Sequence, residues 1–207
     1  MGMGKSKQGE ISSSNVEFRG NKVMKRNIKN FTILMILCSL SLIADPKEDL
    51  FEAVRDGNII KVRAMVSKAK LSLDFTDARE MTPLMIAATD NNLEMVKLLT
   101  EAGADINKKN PENGKSSLMY ASANGHADVV RYLSNYKNIL VNAKDKEGKT
   151  SLMHAVISGR KDVVQLLIES NANVNARTNS EESALGYALK TGRAEIIALL
   201  RAVGARE

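Results

Sequence analysis

The chain has one cysteine, two histidines and no tryptophan, with only four phenylalanines and four tyrosines among 207 residues. A single cysteine, Cys38, excludes an internal disulfide framework. Two histidines without a spaced partner set offer no zinc cluster, so His126 and His154 read as packing or capping residues. Aromatic side chains are too sparse for a platform on which bases could stack. Charge of one sign is also missing from most of the chain. Seven of the 30 Lys/Arg and two of the 24 Asp/Glu fall in residues 1–44, leaving 23 against 22 beyond them. The formal net charge of +6 therefore belongs largely to the N-terminal segment. That leaves no electrostatic case for a nucleic-acid partner.

Long apolar runs are scarce too. The exception, Phe31 to Ala44, is shorter than the roughly 20 residues that span a bilayer. It follows the basic stretch Met24-Lys25-Arg26-Asn27-Ile28-Lys29-Asn30 and ends on a small residue. That order predicts a secretory signal peptide over 24–44, cleaved after Ala44. Residues 1–23 then form a polar, disordered extension or precede the true start. A chain beginning at Asp45 would carry no cysteine, which is compatible with an oxidising compartment. The expected location is a bacterial periplasm or the exterior. A second reading keeps the leader uncleaved, or adds a lipid at Met1-Gly2-Met3-Gly4-Lys5-Ser6, and tethers the protein to a membrane.

What the rest of the chain does have is a period. Ala53, Ala87, Ala121, Ala155 and Ala188 recur at steps of 34, 34, 34 and 33 residues. A leucine stands three residues before each: Leu50, Leu84, Leu118, Leu152 and Leu185. Gly57, Asn91, Gly125, Gly159 or Gly192 stands four residues after. Leu and Ala at that spacing share one helix face, and the Gly or Asn fits a left-handed helix end. A second apolar stripe follows, as at Met95-Val96 with Leu98-Leu99. Each unit reads as helix, tight turn, helix and polar loop. An alanine at one rung of every unit implies close approach of a neighbouring backbone, where a larger side chain would overpack.

These motifs carry a family resemblance. Thr82-Pro83-Leu84-Met85-Ile86-Ala87-Ala88 resembles the ankyrin-repeat signature T-P-L-H-x-A-A. Later copies begin at Ser116, Thr150 and Ser183. Gly125-His126-Ala127-Asp128-Val129-Val130, Gly103-Ala104-Asp105-Ile106-Asn107 and Asp145-Lys146-Glu147-Gly148-Lys149-Thr150 resemble the family's other segments. The resemblance implies an all-α solenoid of about five stacked helix-turn-helix repeats over 45–207, at about 46–76, 77–109, 110–144, 145–177 and 178–207, joined by short β-turn-like loops. The signature histidine is replaced by Met85, Met119, Met153 or Gly186, so its polar bridge is expected to be missing. An irregular loop, 135–140, replaces the expected Gly-Ala of the third repeat.

No catalytic constellation emerges. Residues 143–150 and Gly114-Lys115-Ser116 mimic phosphate loops, but Ala143 and Lys109 stand where the first glycine belongs. No cofactor, metal or small-molecule substrate is expected. By resemblance, the partner is an unidentified protein, bound by a monomer along the concave face. The matching loop-tip positions are Arg79, Met81, Glu112, Asn113 and Lys115, then Lys146, Glu147, Lys149 and Asn179. The matching helix-end positions are Thr89, Asp90, Asn124, Ile157, Ser158 and Lys190. Met81 and Ile157 are apolar residues at positions expected to be exposed, which makes them candidate anchors, although single exposed apolar residues are ordinary. The final helix, from Ala194 to Val203, is expected to cap the stack through Arg193, Glu195 and Arg201.

Overall fold

The computed structural model describes residues 45–68 and 72–207. The leader and the extension predicted over residues 1–44 lie outside the described residues. Among the described residues the chain forms ten helices in five pairs and no extended strand. The pairs are α1 (Pro46–Arg55) with α2 (Ile59–Lys68), α3 (Pro83–Thr89) with α4 (Leu93–Glu101), and α5 (Ser117–Asn124) with α6 (Ala127–Ser134). They continue with α7 (Ser151–Ile157) and α8 (Lys161–Glu169), then α9 (Ala184–Lys190) and α10 (Ala194–Ala202). The all-α repeat architecture is the one that the period predicts.

Each first helix from α3 onward starts where a Thr or Ser interrupts extended backbone. Thr82 Oγ1 accepts the Met85 N–H at 3.2 Å, and Ser183 Oγ accepts the Gly186 N–H at 3.0 Å. Such caps satisfy donors that the first turn leaves open. Met85 answers the cap from the other side, since its sulfur accepts the Thr82 N–H at 3.5 Å. The methionine that replaces the signature histidine therefore keeps one polar contact, as well as filling apolar space.

The first helices pack in one row, α1 on α3, α3 on α5, α5 on α7 and α7 on α9, with the second helices behind them. The five ladder alanines lie in that row, each no more than 1 % exposed. Leu50, Leu84, Leu118, Leu152 and Leu185 are buried beside them, and Val96, Leu99, Val130, Leu133, Val164 and Leu167 line the second row.

The Gly and Asn positions four residues after each ladder alanine all have positive φ: 65°, 58°, 82°, 70° and 65°. A left-handed helix end accounts for that choice of residue. At two of them packing adds a second reason. The Arg160 side chain covers Gly125, and the Arg193 side chain covers Gly159, so closely that a β-carbon would collide with either. Arg193 Nη2 also donates to the Ile157 carbonyl at 3.1 Å, and its buried Nε has no hydrogen-bond partner. Arg193 thus points back into the preceding repeat. The expectation that it decorates the outer face of α10 is corrected. Glu195 and Arg201 are exposed as expected, with Ala198 and Ala202 among them. His126 plays the part of Arg193 two boundaries earlier, its Nε2 lying 2.8 Å from the Thr89 carbonyl.

On the opposite edge, Asx side chains reach from one loop to the next. Asp74 Oδ1 accepts the Asp105 N–H at 2.8 Å, and Asn107 Oδ1 accepts the Leu140 N–H at 2.9 Å. Asn142 Oδ1 accepts the Asn173 N–H at 2.7 Å, and Asn175 Oδ1 accepts the Arg206 N–H at 2.8 Å. The irregular 135–140 loop is absorbed into this ladder. Tyr136 anchors it by donating to the Thr100 carbonyl at 3.2 Å.

Candidate functional site

The loop tips ahead of the first helices are built by local acceptors. Asp77 Oδ1 accepts the N–H groups of Arg79 at 2.8 Å and Met81 at 2.9 Å. Asp145 Oδ1 does the same for Glu147 and Lys149. In the third repeat Asn110 stands in this role, accepting from Glu112 at 2.8 Å. The tips also bond to one another. Asn110 Nδ2 donates to the Arg79 carbonyl at 3.1 Å, the Lys146 N–H to Asn113 at 3.1 Å, and the Asn179 N–H to Glu147 at 3.0 Å. The tips therefore form a continuous hydrogen-bonded edge.

Between that edge and the first helices opens a cleft of about 340 Å³, lined by Arg55, Arg79, Met81, Ile86, Thr89, Asp90, Asn110, Asn113 and Tyr120. Five of these were predicted from sequence: Arg79, Met81, Thr89, Asp90 and Asn113. Arg55, Ile86, Asn110 and Tyr120 were not. The floor is apolar, with Ile86 buried and Met81 half-buried. Tyr120 forms one wall, its hydroxyl accepting from Asn113 Nδ2 at 3.0 Å. Burial pushes the Tyr120 phenol up from its ordinary value, although its bond to Asn113 opposes the shift.

Asp77 lies beneath the rim with its side chain only 3 % exposed. Burial alone would raise its carboxyl. The Met81 and Arg79 amides and the Arg55 guanidinium outweigh that, so it stays below the usual carboxylate range. Asp77 Oδ2 accepts from Arg55 Nη2 at 2.6 Å and lies 3.7 Å from Arg79 Nε. Arg55 is further steadied by its position over the Phe51 ring, 5.6 Å from the centroid.

The remaining predicted residues lie outside this cleft, and several already have partners. Lys115 sits over the Tyr120 ring at 5.9 Å. Lys149 pairs with Glu147, and Lys190 with Glu182. Asn179 Nδ2 donates to the Lys146 carbonyl at 2.9 Å, and Asn124 reaches the Thr89 carbonyl at 3.5 Å. Glu112 and Lys146 are exposed at their tips. Ile157 and Ser158 are half-buried at the end of α7. Neither Met81 nor Ile157 is as exposed as the sequence suggests. Both are half-buried because the neighbouring repeat covers one side of each helix end or tip, which corrects the expectation from sequence. His154 is buried as well, its Nε2 2.8 Å from Asp145 Oδ2. His154, one residue beyond the signature position, makes this polar link within its own repeat and not to a neighbouring one. Among the described residues no group of acidic, His or Cys side chains could hold a metal ion, and no helix is long and apolar enough to cross a membrane.

Comparison with known proteins agrees with this architecture. The family model described as ankyrin repeats, three copies, matches residues 17–110, 50–145, 102–178 and 137–206. An ankyrin repeat protein of fowlpox virus is 34% identical over 68 residues, covering 33% of this chain and 17% of the viral protein. A palmitoyltransferase of Emericella nidulans is 32% identical over 66 residues, 32% of this chain and 9% of the enzyme. A potassium channel of Arabidopsis thaliana is 30% identical over 102 residues, 47% of this chain and 13% of the channel. The chain spans less than a fifth of the length of each of these relatives. Built from five in-register helix pairs and matched by the family model through nearly all of them, the chain belongs to the ankyrin repeat family.

Proposed function

We propose that this protein is a non-enzymatic binding module that captures another protein along its concave face, between the loop tips and the row of first helices. The observation that carries the reading is the cleft at Arg79, Met81, Ile86, Asp90 and Tyr120. It is a concave, apolar-floored depression with charged groups at its rim, open along a rigid hydrogen-bonded edge. Such a surface offers anchoring apolar contact together with polar groups that fix orientation. Glu112, Lys115, Lys146, Glu147 and Lys149 extend the edge with interleaved charges, which suits a mixed-charge protein surface better than a polyanion. Ankyrin repeats in general serve protein–protein interaction, and the features on this face support that use here.

Export is part of the proposal and rests on the basic-then-apolar order of residues 24–44. The N-terminal peptide of protein from fractionated cells tests it. A chain starting near Asp45 in a periplasmic or external fraction supports export, and one retaining residues 31–44 in the membrane fraction refutes it. The binding reading is tested by photocrosslinking in native cells from concave positions Glu112 and Lys149 and from convex positions Glu101 and Gln165. A protein adduct formed only from the concave pair supports it. Equal adducts from both faces, or from the convex pair alone, refute it.

A further inference from the structure

The cleft is electrically bipolar, and its polarity follows the chain. Arg79 precedes α3 and Asp90 follows it, so the two charges stand at opposite ends of a helix of seven residues. At 1.5 Å per residue that helix is roughly 10 Å long, about the length of three extended residues. Between them lie the apolar groups, Ile86 and the partly covered Met81 and Tyr120.

The positive end has donors to spare. One carboxylate, Asp77, serves two guanidiniums. Its Oδ1 is taken by two backbone amides and its Oδ2 by Arg55 at 2.6 Å. Arg79 Nε is left at 3.7 Å from that same oxygen, and the Arg79 side chain is 72% exposed. A guanidinium presents five donors in a fork that matches a carboxylate. The Arg79 fork is therefore available to an incoming acid. Asp90 has no ion-pair partner within 4.0 Å among the described residues, and it is exposed at the other end.

We propose that the cleft recognises an extended segment of its partner in which an Asp or Glu meets Arg79, an aliphatic or aromatic side chain enters against Ile86, Met81 and Tyr120, and a Lys or Arg about three residues from the acid meets Asp90. This rests on the reading that the concave face captures a protein, and adds the chemistry of what it captures. The half-buried floor supplies affinity, and the two end charges supply the order of residues.

The test is fluorescence anisotropy of the full chain with short labelled peptides of the pattern Asp-Leu-Ser-Lys in a Gly/Ser frame. Companion peptides replace Asp with Asn, Leu with Ser, or Lys with Gln. The expected result is saturable binding that each replacement weakens, the Asp→Asn change by about tenfold. Arg79→Glu should abolish the preference for Asp over Asn. Asp90→Lys should transfer the preference to a peptide carrying a second acid in place of the lysine, a gain that misfolding cannot mimic. Binding that ignores the acid, or that survives Arg79→Glu unchanged, overturns the proposal. Failure of every peptide to bind overturns it too. These outcomes leave the crosslinking result untouched, so capture on the concave face stands or falls separately.

Discussion

The imidazole of His154 donates from Nε2 to Asp145 Oδ2 across 2.8 Å, inside the stack, with both side chains less than 10 % exposed. Burial holds the imidazole below its ordinary value. The bond to Asp145 opposes this, while the nearby charges of Lys115 and Lys149 reinforce it. In the unfolded chain His154 regains its ordinary value near 6.5. Just below that pH the unfolded state binds the proton that the folded state refuses, so stability must rise with pH through the window. Thermal melts from about pH 5.5 to about pH 7.5 should show this rise, and His154→Gln should flatten it while keeping a donor for Asp145. An identical slope in the variant would assign the pH dependence elsewhere.

Gly159 and Gly192 share the left-handed conformation but differ in what lies above them. Arg193 covers Gly159, whereas nothing stands within 4 Å of a β-carbon at Gly192. Gly192→Ala should cost only the strain of a positive φ, about 1 kcal/mol. Gly159→Ala must also displace Arg193 from the Ile157 carbonyl and should cost about 2–3 kcal/mol. Urea denaturation of the two variants gives the comparison. Equal losses would show that the arginine moves aside without cost.

The ladder alanines give a third expectation. Ala121 and Ala155 are fully buried between successive first helices. Ala121→Leu should destabilise the protein by about 1–3 kcal/mol through overpacking, although leucine is nearly as good a helix former as alanine. Ala198→Leu, at an exposed site on α10, should change stability by less than about 0.5 kcal/mol. Matched urea midpoints for the two variants would mean that the rungs have room.

Asn142 bridges two loops, accepting from Asn173 at 2.7 Å and donating to the Asn171 carbonyl at 3.4 Å. Asn142→Ala should cost about 1–2 kcal/mol. Hydrogen exchange should speed up at the Asn173 amide and leave the Asn107-bonded amide of Leu140 unchanged. Loss of protection at both would mean that the loops open together.

The fold was legible because its signals are periodic. The Leu, Ala and Gly rails repeat at a spacing that stacked units explain: the Leu and Ala rails pack inside the stack, and the Gly rail supplies left-handed helix ends. The cleft was half legible. Tip and helix-end positions can be carried over one by one, which recovered Arg79, Met81, Thr89, Asp90 and Asn113. Ile86 and Tyr120 occupy the variable position next to each ladder alanine, where the rails say nothing. That variability was itself the available signal, since Ile86, Tyr120, His154 and Tyr187 all differ from the uniform residues beside them. Arg55 was invisible because its place depends on Asp77, 22 residues away and in the next repeat. The exposure of Met81 and Ile157 was misjudged for the same reason. One repeat alone does not show how far its neighbour overhangs it.

The side-chain links just described, Arg193 to Ile157, His126 to Thr89 and Asn142 to Asn173, each join one repeat to the next. Under tension the joints are therefore loaded in series, so each carries the full force and none shares it with a distant joint. A chain stretched between a fixed point and a moving partner should yield in steps of one repeat and shorten again in the same steps. In that setting the stack is a spring whose travel is counted in repeats.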